Sequence, residues 1–167
     1  LAFRQGMGEQ VRHFIMNKAK ASSPKKRIVF AEGEETKIIR AAAQVQDEGI
    51  GQPILVGRPE IIQSKIEKLG LECCPEIVNP QQFHRIDKYA QAYYELRQRK
   101  GITLKDARKA VKDPNVFGPM MVKMDDADAF MSGLTYDYPE VIRPALQIHH
   151  THQDAKIAAG VYIIIVN

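Results

Sequence analysis

The sequence has no apolar run approaching the roughly 20 residues that a membrane-spanning helix needs, which excludes such a helix. Residues 1–20 mix charged and apolar side chains throughout, unlike a secretory leader. Cysteine is scarce. Cys73 and Cys74 are neighbours, where a disulfide would be strained and metal-ligand spacing is lacking. Reduced thiols and a cytoplasmic location are therefore expected. A strong excess of one charge is missing too, since 24 basic residues against 20 acidic ones leave +4. Faces that bind nucleic acid are more basic and more clustered, so the expected partner is a small polyanion and not a nucleic acid. No internal repeat or low-complexity run occurs, and the one linker-like stretch is Ala21–Pro24.

Two chemical signatures are also absent. Gly33, Gly49, Gly51 and Gly57 do not form a GxGxxG fingerprint after a strand. No Ser-His-Asp arrangement is visible, so no base or nucleophile for acyl transfer is assigned. His149, His150 and His152 lie within four residues, but their spacing matches no usual ligand set, and no metal site is expected.

What is present is the balance of a soluble domain: 167 residues, 44% apolar and 26% charged. Leu1–Ala21 reads as a helix, with Val11, Phe14, Ile15 and Lys18 on one face. Arg27–Ala31, Pro53–Val56 and Glu76–Val78 read as strands. Between them lie helical stretches carrying Ile38, Ile39, Ala42 and Val45, then Ile62, Ile66 and Leu69. The alternation β-α-β-α-β predicts an α/β fold, with a mainly parallel sheet and helices on both faces. Arg85–Lys100 follows as a helix with a core stripe of Ile86, Tyr89, Tyr93 and Leu96. Thr103 and Asp106 supply a capping pattern, and Val116–Met124 reads as a short helix distorted by Pro119.

The stretch Ala127–Gln147, ADAFMSGLTYDYPEVIRPALQ, organises the rest. Ala127–Met131 suits a buried strand. Ser132, Gly133, Leu134 and Thr135 form a polar loop, and Pro139 suits the first turn of a helix that Asp137 caps. In a parallel sheet such a loop sits over the carboxyl end of its strand, the edge where ligands bind. Arg143 lies about one turn into that helix, within reach of an anion at this edge. Ala159–Val166 reads as a last buried strand and, being strongly apolar, as an edge that invites association.

SGLTYDYPEVIRPALQ, EGEETKIIRAAAQVQDEGIGQPILVGRPEII and YYELRQRKG resemble the phosphate acetyltransferases (phosphotransacetylases). They are equally similar to the acetyltransferase-like domain fused to bacterial NADP-dependent malic enzymes. RHFIMNKAK followed by PKKRIVFAEGEE resembles the helix joining the catalytic part of such a fusion to that domain. Two departures stand out: Pro119 occupies a place where the family has a helix-tolerant residue, and the family's glycine is expected nearer Asp125 or Asp126.

The resemblance implies the first lobe of a two-lobe phosphotransacetylase-like fold, with residues 1–24 as connecting helix and linker. Residues 25–152 would form the lobe, and 153–167 the strand leading into a second lobe. A comparable length of chain follows in the proteins it resembles. Their catalytic serine, arginine and aspartate lie there, so no catalytic residue is expected in this chain, which alone should be inactive. Residue by residue, Arg143 matches the arginine of the family's LRPALQ-like segment and Arg97 that of its ELRxxKG-like segment. Ser132, Gly133 and Thr135 match the loop over the strand. Together they are the candidate acetyl-CoA-binding residues, with acetyl-CoA or coenzyme A as ligand. For a malic-enzyme fusion the resemblance implies an acetyl-CoA-sensing regulatory domain, with NADP and a divalent metal confined to the malate-decarboxylating region. The alternative is the front half of a phosphate acetyltransferase. A homo-oligomer is expected in either case.

Overall fold

The computed structural model describes residues 6–151 together with 154 and 157. Among the described residues, four strands form one parallel sheet: β1 (Arg27–Phe30), β2 (Gln52–Val56), β3 (Glu76–Val78) and β4 (Ala129–Met131). Their order across the sheet is β3-β2-β1-β4. The chain winds outward from β1 to β3, then returns to pair β4 on the other side of β1. That reversal makes β1/β4 a topological switch point.

Period-two alternation assigns each strand residue to a face. Val29, Ile54, Val56 and Val78 join a core with Tyr89, Phe117, Met120 and Ile148. That layer is built by α4 (Ile86–Arg97), α5 (Leu104–Ala110), α6 (Pro114–Lys123) and α7 (Tyr138–His149). Phe30 and Leu55 point the other way, onto Ile39, Ala42, Ile62 and Ile66 of α2 (Thr36–Asp47) and α3 (Pro59–Lys68). The expected α/β architecture with helices on both faces is thus present. An additional helix, α1 (Met7–Lys20), leaves Phe14 and Ile15 largely exposed. Cys73 and Cys74 are free thiols.

Local signals explain several boundaries. Thr103 Oγ1 accepts from the Asp106 amide at 3.2 Å, and the Asp106 carboxylate accepts from the Thr103 amide at 3.1 Å. Asp113 accepts from the Asn115 amide at 2.7 Å, and Pro114 occupies the first turn of α6, where its missing N–H costs nothing. Pro119 lies farther along α6 and removes only the bond to the carbonyl of Asn115 in the first turn, so the helix continues to Lys123. Gly118 is required by packing, because a Cβ there would sit 2.3 Å from the Phe130 ring of β4.

Three expectations are corrected. The strand begins at Ala129 instead of Ala127, because the Ala127 amide closes the end of α6 on the Met121 carbonyl at 3.2 Å. The strand is also less buried than expected: among the described residues β4 pairs with β1 alone, and Met131 is 54% exposed. The helix expected over Arg85–Lys100 runs from Ile86 to Arg97, then tightens into a 3-10 turn at Gln98–Lys100. Near the expected family glycine, Asp125 adopts a left-handed φ of 59°, a conformation aspartate tolerates better than most residues. The strand expected at Ala159–Val166 lies outside the described residues.

Candidate functional site

α7 carries the centre of the site. Glu140 reaches back to accept from the Asp137 amide at 2.9 Å, so the reciprocal cap comes from the third residue of the helix. Pro144 lies inside α7, which nonetheless continues to His149. The far end is fixed by Ile148, fully buried, and by His149 Nε2, 3.0 Å from the Pro119 carbonyl of α6. That carbonyl can only accept, so Nε2 carries the proton.

A cleft of about 510 Å³ runs along α7 against the end of α4. Tyr138, Ile142 and Leu146, four residues apart, supply an apolar wall. Arg97, Lys100 and Arg143 supply three cations, and among the described residues no carboxylate lines the cleft. The two arginines singled out in the sequence, 46 positions apart, therefore face one space. Their surroundings differ from those of three other arginines. Arg27, Arg58 and Arg85 are held by Asp128, Glu34 and Asp126 at 3.1, 2.8 and 2.7 Å. Among the described residues, no ion pair involves Arg97, Lys100 or Arg143. Arg97 Nε is buried with no hydrogen-bond partner among these residues, an arrangement native interiors normally avoid. Burial pushes the neighbouring Tyr93 hydroxyl up, and Arg97 beside it draws it part of the way back.

The loop after β4 differs. Gly133 and Leu134 amides donate to Glu32 Oε2 at 3.0 and 3.1 Å. The Thr135 amide and hydroxyl both donate to Oε1, the hydroxyl at 2.7 Å. A φ of 115° at Gly133, a conformation that favours glycine, turns these donors toward one point. Glu32 is 7% exposed. Burial pushes its carboxyl up, but the four donors outweigh that and hold it below the usual range. Ser132 Oγ donates to the buried Asn115 Oδ1 at 2.7 Å. Ser132, Gly133 and Thr135 thus sit together at the switch point with their donors engaged by the protein. Arg143 bridges the two regions, lining both the cleft and a groove shared with Asn115 and Tyr136.

The profile of a family described as phosphate acetyl/butaryl transferase matches residues 10–167. The chain belongs to this family. It is 42% identical over 145 residues to a phosphate acetyltransferase of Thermoanaerobacterium thermosaccharolyticum, covering 87% of this chain and 44% of that protein. It is 37% identical over 138 residues to a probable NADP-dependent malic enzyme of Rickettsia prowazekii, covering 80% of this chain and 18% of the other. A solved phosphotransacetylase from Streptococcus pyogenes superposes with a TM-score of 0.78 at 36% identity, covering 84% of this chain and 42% of that one. The chain therefore spans less than half the length of these relatives. The transferase family and the fold expected from the sequence are both present, and its relatives include both transferases and malic enzymes.

Sequence reading missed Glu32, which stands among several acids in the turn leading into α2. It gave Lys100, Tyr138 and Leu146 no role and met His150 only in a histidine tract, yet all four line the cleft. A signal existed for the apolar wall: Tyr138, Ile142 and Leu146 recur every four residues on a helix whose buried anchor, Ile148, lies elsewhere. His150 lines the cleft, His149 ties α7 to α6, and His152 lies outside the described residues.

Proposed function

We propose that the cleft between α4 and α7 binds acetyl-CoA or coenzyme A through its phosphates, with Arg143 and Arg97 as the contacting cations. The observation that carries this reading is the convergence of Arg97, Lys100 and Arg143 on one cleft that, among the described residues, no carboxylate lines. A phosphate would neutralise these cations, and a guanidinium fork suits phosphate better than a point charge does. The Tyr138–Leu146 wall offers apolar surface to the rest of the ligand. Ser132, Gly133 and Thr135 border this site as the loop from which α7 starts.

The same reading extends to the whole protein as an acetyl-CoA-sensing domain beside an NADP- and metal-dependent malate-decarboxylating region. The stretch RHFIMNKAK in α1 and the malic-enzyme relatives support it. The front half of a phosphate acetyltransferase is the second reading, favoured by the 42% identity to such an enzyme. There the ligand thiolate would attack the acyl carbonyl of acetyl phosphate and expel phosphate.

Arg143→Ala in the full-length protein tests the site. Calorimetry should show acetyl-CoA affinity falling by about tenfold to a hundredfold, the loss of one charge-assisted contact of roughly 1.5–3 kcal/mol. Arg143→Lys should recover only part of it. In a malic enzyme, malate decarboxylation would continue but cease to respond to acetyl-CoA. In a transferase, acetyl exchange itself would fall. Unchanged affinity in Arg143→Ala and Arg97→Ala alike would remove the site.

A further inference from the structure

We infer that Glu32 is a positioning residue for this cleft: it fills the anion nest of the β4–α7 loop, sets where α7 begins, and so presents Arg143 to the ligand. The inference rests on the reading of the cleft as the acetyl-CoA site.

Three consecutive amides turned toward one point form a concavity that binds anions, and the switch point of a parallel sheet is where such ligands settle. Here the protein's own carboxylate occupies the concavity, taking the Gly133, Leu134 and Thr135 amides and the Thr135 hydroxyl. Glu32 follows directly on β1, and the Ala31 amide extends the β1/β4 ladder to the Met131 carbonyl at 3.0 Å. The carboxylate is therefore fixed by the sheet, and the loop is fixed by the carboxylate. From Thr135 only Tyr136 and Asp137 separate the loop from α7. The far end of α7 is independently pinned by Ile148 and by His149 on Pro119. Arg143 lies between these two anchors. Without Glu32 the near anchor is lost and the guanidinium is no longer held over the cleft. Arg97 stands on α4, outside this chain of contacts, so its contribution should not depend on Glu32.

That asymmetry provides the test. Acetyl-CoA dissociation constants would be measured by calorimetry in the full-length protein for E32Q, R143A, R97A and the double variants E32Q/R143A and E32Q/R97A. Glutamine keeps the size of Glu32 but replaces one accepting oxygen with a donor. E32Q should weaken binding by about fivefold to tenfold in the otherwise unaltered protein and by the same factor beside R97A. Beside R143A it should add less than about twofold, because the residue it acts through is already gone. Amide exchange at Gly133, Leu134 and Thr135 should rise at the same time, with the β1 and β2 amides unchanged. Equal loss on all three backgrounds would mark Glu32 as a general stabiliser and overturn the inference, as would unchanged affinity in E32Q. If R143A and R97A both bind normally, the reading of the cleft fails first, and that result is recognisable without E32Q. Should E32Q not fold, T135V deletes only the hydroxyl donor to Glu32 Oε1 and carries the same cycle with the same pattern at smaller size.

Discussion

The loop after β4 and the cleft along α7 adjoin through a single helix, yet they treat charge in opposite ways. In the loop, one buried carboxylate meets four donors, so every strong interaction is closed within the protein. In the cleft, among the described residues, three cations face one space that no carboxylate lines, and Arg97 Nε is buried with no hydrogen-bond partner. The first arrangement lowers the energy of the folded chain. The second raises it slightly unless an anion arrives. Stability and binding are thus divided between neighbouring segments, with α7 transmitting the geometry of one to the other.

The largest effect expected from this division is on folding. Glu32→Ala leaves three amides and a hydroxyl at a largely buried point without an acceptor, and should cost about 2–4 kcal/mol in urea unfolding. Arg143→Ala removes an exposed side chain with no ion pair among the described residues and should stay within about 0.5 kcal/mol. Similar losses for the two variants would erase the distinction.

A smaller effect with the reverse sign is expected at Arg97. Arg97→Met keeps the long stem but removes the buried Nε donor, and should stabilise the protein by about 1 kcal/mol. The same change should weaken acetyl-CoA about tenfold, since a charge-assisted contact is lost. Stability gained together with affinity lost is the signature of a group retained for binding. A destabilised Arg97→Met variant would show that the guanidinium serves the fold.

The sequence made two of the cleft's three cations legible and left the loop's closure hidden, for a physical reason. Arg97 and Arg143 stand in stretches that resemble family segments, and each lies on a helix whose register follows from apolar spacing. Glu32 gave no such signal: its partners are 101 to 103 residues away, and its importance comes from backbone donors, which carry no sequence signature. The strand order was equally unreadable. The alternation of elements gave parallel strands and two helical layers, but not that β4 returns beside β1. The beginning of β4 was misplaced because Ala127 is apolar and buried, although its amide belongs to the end of α6. Periodicity reports which side chains are hidden, and not which hydrogen-bonding ladder their backbones join.

The smallest effect concerns a second carboxylate at the same sheet edge. Glu34 accepts from the Arg58 amide and Nε, each at 2.9 Å, and from a terminal guanidinium nitrogen at 2.8 Å, tying the turn after β1 to the turn after β2. These bonds from Arg58 hold its carboxyl at about 2, against an ordinary value of 4.5. A carboxyl depressed in the folded state contributes stability that is complete above its unfolded value and disappears as pH falls through its folded one. Arg58 is 63% exposed, so solvent screens the pair and the contribution should be only about 0.5 kcal/mol. Glu34→Gln should therefore lower stability by that amount above pH 4.5, and the difference between variant and parent should shrink to nothing as pH approaches about 2. Acetyl-CoA affinity at neutral pH should not move, because neither Glu34 nor Arg58 lines the cleft. A difference that persists unchanged at pH 2 would mean that Glu34 acts through packing and not through its charge. A change in acetyl-CoA affinity would mean that the whole carboxyl edge of the sheet responds as one unit, and the separation between a closed loop and an open cleft would not hold.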